Sequence, residues 1–358
     1  MININFKRSF KVANTIKALY VEILSSCNCR CVYCYNENIL LKNSYIDSKV
    51  FSSILQDAKS FGLSQISISG GEPFLHPEII EFINISIREK MRLNIITNLT
   101  IFNEKLYYLL VKHSVALQVT LDGPNKTLHD YTRGEGTFDR TIKNLNYLNE
   151  LKYQGFLTIR MNLHKRNYMY IENLFELVKS MNCKFINLSL INKVGAATRF
   201  NDFIENDDYP ILNFINEKVI SLMDKYNFKI IFEGLNPSIG CPYYGGDNIE
   251  CGVRISPDAN VFPCQLFTDK IFCIGNIKNN NLLEIINGKK MSDFKTLLSL
   301  RKTFIPECSE CAYQAMCATG CPAEAYNNNH KIFSNCGKCD RNKSIFNKFI
   351  IHENNKIK

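Results

Sequence analysis

Short apolar runs alternate with amphipathic stretches over the first half of the chain, from about residue 18 to residue 192. Six of these runs are rich in Ile, Val, Leu and Phe, which is typical of strands buried on both faces of a parallel sheet. They cover residues 19–24, 65–69, 93–97, 116–121, 156–161 and 185–190. Because helical patterns lie between the strands, the sequence predicts six β/α units that form a parallel barrel or part of one.

Two of the helical patterns are clear enough to place residue by residue. In the first, Asp47 is the predicted N-cap of a helix, because its side chain can accept a hydrogen bond from the first turn. Its apolar stripe consists of Val50, Phe51, Ile54, Leu55, Ala58 and Phe61. The second pattern places Phe138, Ile142, Leu145, Leu148 and Leu151 on one face. Both stripes predict amphipathic helices that pack against the sheet.

The pattern changes from about residue 200 onward. Residues 201–226 read as a polar linker that enters a helix. After residue 240 the chain consists of short segments rich in Cys, Gly, Pro and Asn, and these hold ten of the fifteen cysteines. Such a stretch has too little apolar sequence for a core of its own, so we expect it to fold around metal.

Composition narrows the choice of metal chemistry. The 358-residue chain is 46% apolar and 22% charged, which is typical of a globular protein. It has no run of eighteen apolar residues and no secretory signal, so we expect a cytoplasmic protein without a membrane partner. The net charge of +9 is spread along the chain without a long basic block, and we expect no nucleic-acid partner. An odd number of cysteines in a reducing compartment favours metal or cluster ligation over disulfides.

Directly after the first strand, Cys27, Cys31 and Cys34 follow the spacing C-x3-C-x2-C. This spacing brings three thiolates onto one tight loop. Three ligands leave one iron of a four-iron cluster open, as a catalytic metal site requires. The alternative is a zinc knuckle that takes a fourth ligand, for example Cys29.

Polar motifs also follow the next three strands, and in a β/α barrel such strand ends share one face. The GGEP motif on its own would more often indicate a turn than a site. Several motifs on one predicted face instead indicate an active site. The residues concerned are Ser69, Gly70, Gly71, Glu72 and Pro73 after the second strand, Thr97 and Asn98 after the third, and Thr120 and Asp122 at the end of the fourth.

With these motifs, residues 18 to 192 resemble the radical S-adenosylmethionine (SAM) superfamily. The resemblance implies that Cys27, Cys31 and Cys34 bind a [4Fe-4S] cluster whose open iron takes the amino and carboxylate groups of the cofactor's methionine. It implies that reduction of this cluster cleaves a carbon–sulfur bond of SAM. The resulting 5′-deoxyadenosyl radical then abstracts an unactivated hydrogen. An electron donor such as flavodoxin or ferredoxin is the expected partner.

The same resemblance implies roles for the other strand-end residues. Gly70, Gly71 and Glu72 would grip the methionine ammonium, and Tyr33 and the backbone near Leu190 would cover the adenine. Thr120 and Arg133 resemble positions near the cofactor's carboxylate and ribose, although Arg133 equally fits a surface arginine at a helix start. Thr97, Asn98 and Asp122 complete the predicted cofactor-binding set. Leu99 departs from the family, where many relatives have Gly, and we expect it to be tolerated.

The C-terminal cysteines resemble the SPASM extension of radical SAM enzymes over residues 241–345, although a double zinc ribbon is the alternative. The run Cys308-x2-Cys311-x5-Cys317-x3-Cys321 carries the likeness. The resemblance implies two auxiliary [4Fe-4S] clusters, one held by Cys241, Cys251, Cys264 and Cys321 and the other by Cys308, Cys311, Cys317 and Cys339. We prefer Cys339 to Cys336 because its distance from Cys321 fits relatives better. Ala259, in the predicted turn before Cys264, is a second departure, because Gly is common there in relatives.

The sequence therefore predicts an α/β protein, with a partial (β/α)6 TIM-like barrel and a C-terminal Cys-rich auxiliary iron–sulfur domain. The cofactors expected are SAM and three [4Fe-4S] clusters, one catalytic and two auxiliary. The predicted boundaries are an N-terminal extension at 1–17, the barrel at 18–200, a linker and helix at 201–240, the SPASM domain at 241–345 and a tail at 346–358.

The leading functional prediction is a maturase that crosslinks a ribosomally synthesised peptide through a thioether or carbon–carbon bond. One alternative is a sulfatase-maturing, formylglycine-forming enzyme, but those relatives carry Asp where this chain has Gln265. Another is the tailoring of a small cofactor or haem precursor. The non-enzymatic alternative is an iron–sulfur electron carrier. About eighteen residues precede the first strand, so we expect a peptide to be recognised by the barrel mouth, the C-terminal domain or a separate protein.

Overall fold

The computed structural model describes most of the chain, with gaps near both termini and before the C-terminal region. The described residues are 16–37, 43–183, 185–205, 208–226, 228–233, 241, 251–317, 319–340, 342–343 and 346–347. Most of the predicted N-terminal extension and tail, and the end of the predicted linker, lie outside them. The side chain of Cys251 also lies outside the described part.

One sheet runs through the described residues in the strand order β10-β9-β8-β1-β2-β3-β4-β5-β6-β7. Its strands are β1 (Ile16–Leu24), β2 (Gln65–Gly70), β3 (Arg92–Thr97), β4 (Ala116–Thr120), β5 (Leu157–Leu163), β6 (Phe185–Leu190), β7 (Lys229–Glu233), β8 (Cys251–Ile255), β9 (Asn260–Phe262) and β10 (Gly275–Asn276). Strands β1 to β7 pair in parallel. The six predicted strands are confirmed as β1 to β6, and the partial parallel barrel with them. β1 begins three residues earlier than predicted, and β5 begins one residue later and ends two residues later than predicted.

The helices follow the predicted alternation. They are α1 (Ser48–Ser60), α2 (Ile79–Arg88), α3 (Glu104–Lys112), α4 (Lys126–Arg133), α5 (Thr137–Glu150), α6 (Ile171–Val178), α7 (Tyr209–Tyr226), α8 (Leu282–Ile286), α9 (Lys289–Phe304), α10 (Pro306–Ser309), α11 (Gln314–Cys317) and α12 (Pro322–Asn329). The predicted cap is confirmed, because Asp47 Oδ1 accepts the Val50 N–H at 2.8 Å. In the described part of the chain, no helix is long and apolar enough to cross a membrane.

The alternation of residues along the strands separates an apolar face from a polar one. On β1, Val21 and Ile23 belong to the buried core, whereas Tyr20 and Glu22 point to the opposite face. The core face packs against α1 and α2, whose Phe51 and Phe82 rings stack with centroids 4.2 Å apart. The polar face is therefore available for chemistry inside the barrel.

The cysteine-rich region is joined to the barrel through the sheet. β8 pairs in parallel with β1, with Tyr20 opposite Arg254, and β9 and β10 continue the sheet in antiparallel fashion. Apolar residues of this region, including Phe267 and Leu298, belong to the same core as the barrel. Residues from 229 onward thus extend the sheet past the six strands that the sequence predicted, through β7 on one side and β8 on the other.

Candidate active site

The loop after β1 carries three neighbouring thiols. Those of Cys27, Cys31 and Cys34 are close enough to influence one another's charge. Hydrogen bonding from Cys29 lowers the pKa of the Cys27 thiol to about 6, whereas burial raises the pKa of Cys31 and brings that of Cys34 to about 12. Cys27 is therefore the thiol most readily converted to the thiolate that binds metal.

Cys29 belongs to the same loop, between Cys27 and Cys31. It is buried, and its Sγ accepts a hydrogen bond from Asn98 Nδ2 at 3.3 Å. Asn98 Nδ2 also donates to Asn28 Oδ1 at 2.9 Å. The loop is thereby attached to the residue that follows β3.

Backbone contacts fix the loop on two further sides. The Glu72 N–H donates to Ser26 O at 2.9 Å, and the Ala196 N–H donates to Cys34 O at 2.9 Å. A Cβ on Gly71 would lie 1.9 Å from Ser26 O, and one on Gly195 would lie 2.6 Å from Cys34 O. Gly70 is similar, because its φ is +135° and a Cβ there would lie 2.3 Å from Leu24 O. These glycines permit an approach of the backbone that any side chain would block.

Glu72 is a buried carboxylate held by three donors. Its Oε1 accepts the Thr97 hydroxyl at 2.5 Å and the Phe74 N–H at 3.1 Å, and its Oε2 accepts the Asn98 N–H at 2.7 Å. Burial raises the pKa of Glu72 to about 7, although these hydrogen bonds act to lower it. The structure thus brings the predicted residues Glu72, Thr97 and Asn98 together, near the Cys27 thiol.

A second polar group surrounds Asp122. Asp122 is buried and accepts hydrogen bonds from the Tyr33 hydroxyl, from Thr132 Oγ1 at 2.9 Å and from the Asn162 N–H at 2.9 Å. Burial alone would raise the pKa of Asp122, but the Arg133 guanidinium and these bonds hold it below its usual value. Arg133 donates from Nη1 to the Tyr33 hydroxyl at 3.3 Å.

Arg133 is the last residue of α4 and is partly buried, so the alternative of a surface arginine at a helix start is wrong. Its Nε is buried and has no hydrogen-bond partner among the described residues. The positive charge of the guanidinium lies close enough to Cys31 to offset part of the rise in the pKa of that thiol, a rise that burial causes. A free donor beside the cysteine loop can bind an anionic group.

The remaining predicted residues lie at the same end of the barrel. Thr120 is buried at the end of β4, and Leu190 ends β6, where it lines a cavity of about 510 Å³. The Tyr33 ring packs edge-on against Phe200, with centroids 6.4 Å apart. Tyr33 and the end of β6 are thus connected by apolar packing, which suits a flat ring system.

Two residues that the sequence did not single out belong to this site. Asn162 Nδ2 donates to the Tyr33 hydroxyl at 3.1 Å and to Asp122 Oδ1 at 3.2 Å. His164 is buried, and its Nε2 has no hydrogen-bond partner among the described residues. Asn162 is the next-to-last residue of β5, and His164 directly follows the strand. The expectation that functional residues lie where parallel strands end therefore covers both of them.

The C-terminal cysteines fall into two groups. The thiol of Cys321 lies near those of Cys264 and Cys241, and its pKa is raised mainly by burial. A separate cavity of about 210 Å³ is lined by the other group, Cys308, Cys311, Cys317, Cys336 and Cys339. Within that group, the Cys339 thiol acts electrostatically on Cys308, whereas the Cys336 thiol acts on Cys317 and Cys339 and lies buried against Gly320.

These groups are suited to clusters of several metal atoms. The fourteen cysteines with described side chains are free of disulfides. In the same part of the chain, no three Cys, His, Asp or Glu side chains converge tightly enough to hold one metal ion. A four-iron cluster needs no such convergence, because each thiolate binds a different iron. The donor sets and the thiol-lined cavity therefore fit [4Fe-4S] clusters.

Comparison with known proteins identifies the family to which the chain is similar. A model described as the radical SAM superfamily matches residues 21–178, and the SPASM model, described as an iron–sulfur cluster-binding domain, matches residues 248–312. The chain is 25% identical to the antilisterial bacteriocin subtilosin biosynthesis protein AlbA of Bacillus subtilis (strain 168), over 86% of this chain and 67% of AlbA. It is 24% identical to the AdoMet-dependent heme synthase of Methanosarcina barkeri (strain Fusaro / DSM 804), over 88% and 93% of the two chains.

The fold has solved counterparts as well. SuiB of Streptococcus suis, in its crystal structure with bound S-adenosylmethionine, matches with a TM-score of 0.76 and 20% identity. The match covers 90% of this chain and 76% of SuiB. Because the two family models match the barrel and the cysteine-rich region in turn, the chain is a radical SAM enzyme with a SPASM domain.

Proposed function

We propose that this enzyme cleaves SAM reductively and abstracts hydrogen from a ribosomally synthesised peptide, forming a thioether or carbon–carbon crosslink. The observation that carries the catalytic part is the meeting of the cysteine loop with the buried carboxylate of Glu72 at one end of the barrel. Two relatives support a peptide substrate. AlbA is a bacteriocin biosynthesis protein, and SuiB has been crystallised with its precursor peptide SuiA.

In this proposal Cys27, Cys31 and Cys34 hold a [4Fe-4S] cluster and leave one iron open for SAM. When bound, cluster and cofactor together supply the hydrogen-abstracting radical. Glu72 holds the methionine ammonium, because three hydrogen bonds already orient its carboxylate in a buried position, where attraction to a cation is strong. Gly70 and Gly71 let the backbone approach the same group.

In the proposal, the adenosine part of the cofactor lies against the polar group around Asp122. Tyr33 and the backbone at Leu190 flank the adenine, and Asp122 orients Tyr33 through its hydroxyl. Thr120 and Arg133 lie near the cofactor's carboxylate and ribose, and Arg133 offers these groups its Nε, which has no hydrogen-bond partner among the described residues. Thr97 and Asn98 act through Glu72, whose carboxylate they position.

Two auxiliary [4Fe-4S] clusters complete the proposal. Cys241, Cys251, Cys264 and Cys321 hold one, and Cys308, Cys311, Cys317 and Cys339 hold the other. Because four cysteines leave no iron open, these clusters transfer electrons rather than bind substrate. A flavodoxin or ferredoxin supplies the reducing electron.

A second candidate function is the tailoring of a haem precursor, which the likeness to the heme synthase favours. A formylglycine-forming reaction is less well supported, because Gln265 cannot serve as the base that an Asp after Cys264 would provide.

The test is anaerobic reconstitution with iron and sulfide, followed by dithionite and SAM. We expect 5′-deoxyadenosine from the enzyme alone. With peptides encoded by neighbouring reading frames, we expect a product that has lost two hydrogen atoms for each crosslink. Absence of 5′-deoxyadenosine from protein carrying its full iron would contradict the catalytic proposal, and turnover of a porphyrin but no peptide would favour the second candidate.

A further inference from the structure

A buried ion pair lies on the polar face of the sheet, between β1 and β8. Glu22 and Arg254 are both fully buried, and Arg254 Nη1 lies 3.6 Å from Glu22 Oε1. The guanidinium also stacks on the Phe262 ring, 4.3 Å from its centroid. The pair is neutral as a whole, which is the condition for keeping two charges inside a protein.

The pair is placed between the two cysteine-bearing loops. Glu22 Oε1 accepts the Tyr35 hydroxyl at 3.1 Å and also the Asn36 side-chain amide, and both residues follow Cys34 directly. The Tyr35 hydroxyl in turn accepts a hydrogen bond from Gln265 Nε2 at 3.3 Å, and Gln265 follows Cys264. The pair is therefore linked by hydrogen bonds to the loop of Cys27–Cys34 and, through Tyr35, to the residue that follows Cys264.

Three of the five side-chain nitrogen and oxygen atoms of the pair are left unsatisfied by the described residues. Glu22 Oε2 and the Nε and Nη2 atoms of Arg254 are buried and have no hydrogen-bond partner among the described residues. More than nine in ten buried polar groups in proteins are satisfied, and charged groups left unsatisfied are the most costly. A further group, from substrate or from enclosed water, would complete these three atoms.

The charge balance selects that group. A carboxylate added to a neutral buried pair leaves one negative charge in excess, and an ammonium leaves one positive charge in excess, and either is costly without water. A neutral amide meets every requirement at once. Its carbonyl oxygen accepts from Nε and Nη2 of Arg254, and its N–H donates to Oε2 of Glu22.

We propose that Glu22 and Arg254 form a binding point for an amide group of the substrate, either a peptide bond or an Asn or Gln side chain. This inference rests on the proposed function, which it deepens by selecting a peptide over a carboxylate-rich haem precursor. The three atoms are closed to bulk solvent, so an amide reaches them only when the partly buried side chain of Gln265 moves aside. A long hydrogen bond of 3.3 Å joins Gln265 Nε2 to the Tyr35 hydroxyl, and Tyr35 keeps its own hydrogen bond to Glu22 Oε1 when Gln265 moves.

The test uses N-methylacetamide, which carries one peptide group, and acetate, which carries one carboxylate. Saturation-transfer NMR measures the binding of each to the reconstituted enzyme without SAM. The diagnostic variant is Glu22→Met with Arg254→Met, because replacing both charges by apolar side chains of similar length avoids the unpaired charge that either change alone would leave. The matched control is Glu81→Met with Arg88→Met, an exposed pair at 2.8 Å.

We expect stronger transfer to the amide than to acetate. We also expect transfer to the amide to fall about tenfold in the buried-pair variant, as the loss of a charge-assisted hydrogen bond implies, and to be unchanged in the control. Three results would each overturn the inference. The first is equal or stronger transfer to acetate, the second is full transfer to the amide in the buried-pair variant, and the third is no transfer to the amide in the wild type. The last result would mean that enclosed water completes the pair. Cleavage of SAM by the same wild-type preparation tests the proposed function separately.

Discussion

Glu72 Oε2 accepts the backbone N–H of Asn98 at 2.7 Å, so the carboxylate that follows β2 is bonded to the residue that follows β3. The other oxygen of Glu72 accepts two more donors. All hydrogen-bond partners that the described residues supply to this carboxylate are donors, as an ionised acceptor requires.

Glu72→Gln therefore places an amide N–H₂ against a backbone or hydroxyl donor, whichever way the side chain turns. We expect the free energy of unfolding of the metal-free protein to fall by about 1–3 kcal/mol, the usual cost of an unsatisfied buried donor. Urea unfolding measures this change. Glu81→Gln, on the exposed face of α2, is the control and should change stability by less than about 0.5 kcal/mol. Equal effects of the two substitutions would contradict the prediction.

Changing Cys27, Cys31 and Cys34 together to Ala should abolish formation of 5′-deoxyadenosine and leave about two-thirds of the iron, since two of three proposed clusters remain. Iron analysis and chromatography of the reaction mixture measure the two effects. Cys183→Ala, which alters a cysteine outside all three sets, should retain both. Cleavage of SAM by the triple variant would remove the catalytic role of these thiols.

Cys339→Ser should lower the iron content by about a third and lower the melting temperature, because cluster binding and folding are coupled. Cys336→Ser should keep its iron. The reason is positional: the Cys339 thiol lies close enough to Cys308 to raise the pKa of that thiol, whereas the buried Cys336 thiol faces Gly320, where a Cβ would lie 2.4 Å from its sulfur. The reverse pattern of iron loss would make Cys336 the ligand.

Ala259→Gly should raise the free energy of unfolding by about 1 kcal/mol, because Ala259 has a φ of +64°, which glycine adopts without strain. Thermal unfolding measures the change. Ala58→Gly is the matched control, since Ala58 is equally buried but lies inside α1, where glycine should cost about 1 kcal/mol. Stabilisation by both substitutions, or by neither, would show that the backbone conformation is not the cause.

The two departures from the family pattern have a physical explanation in the structure. Leu99 has a φ of +54°, and Ala259 likewise occupies the left-handed region, which accounts for the glycine common in relatives at both positions. The sequence flagged each residue but could not show the dihedral angle. Leu99 is also fully buried, so we expect its packing to offset the backbone strain.

The apolar runs predicted β1 to β6 because each is a local pattern of buried residues. β8 was missed because it is short, contains Arg254, and becomes a strand by pairing with β1, more than two hundred residues away. The strand-end rule led to Glu72 and Asp122. It could not lead to Glu22, because Glu22 lies within β1 and not at its end. Its partner Arg254 becomes evident only from the pairing of β1 with β8.

The pairing of β8 with β1 limits how such enzymes can be rebuilt from parts. A barrel cut off before residue 251 would leave the backbone N–H and C=O groups of β1 without their partners, and an open strand edge of this kind recruits other chains. A cysteine-rich module transplanted from a relative would need a strand of matching register opposite Tyr20 before its clusters could assemble beside the barrel. The auxiliary region is therefore not an interchangeable cassette, and chimaeras should be joined within loops that leave β8 with its own β1.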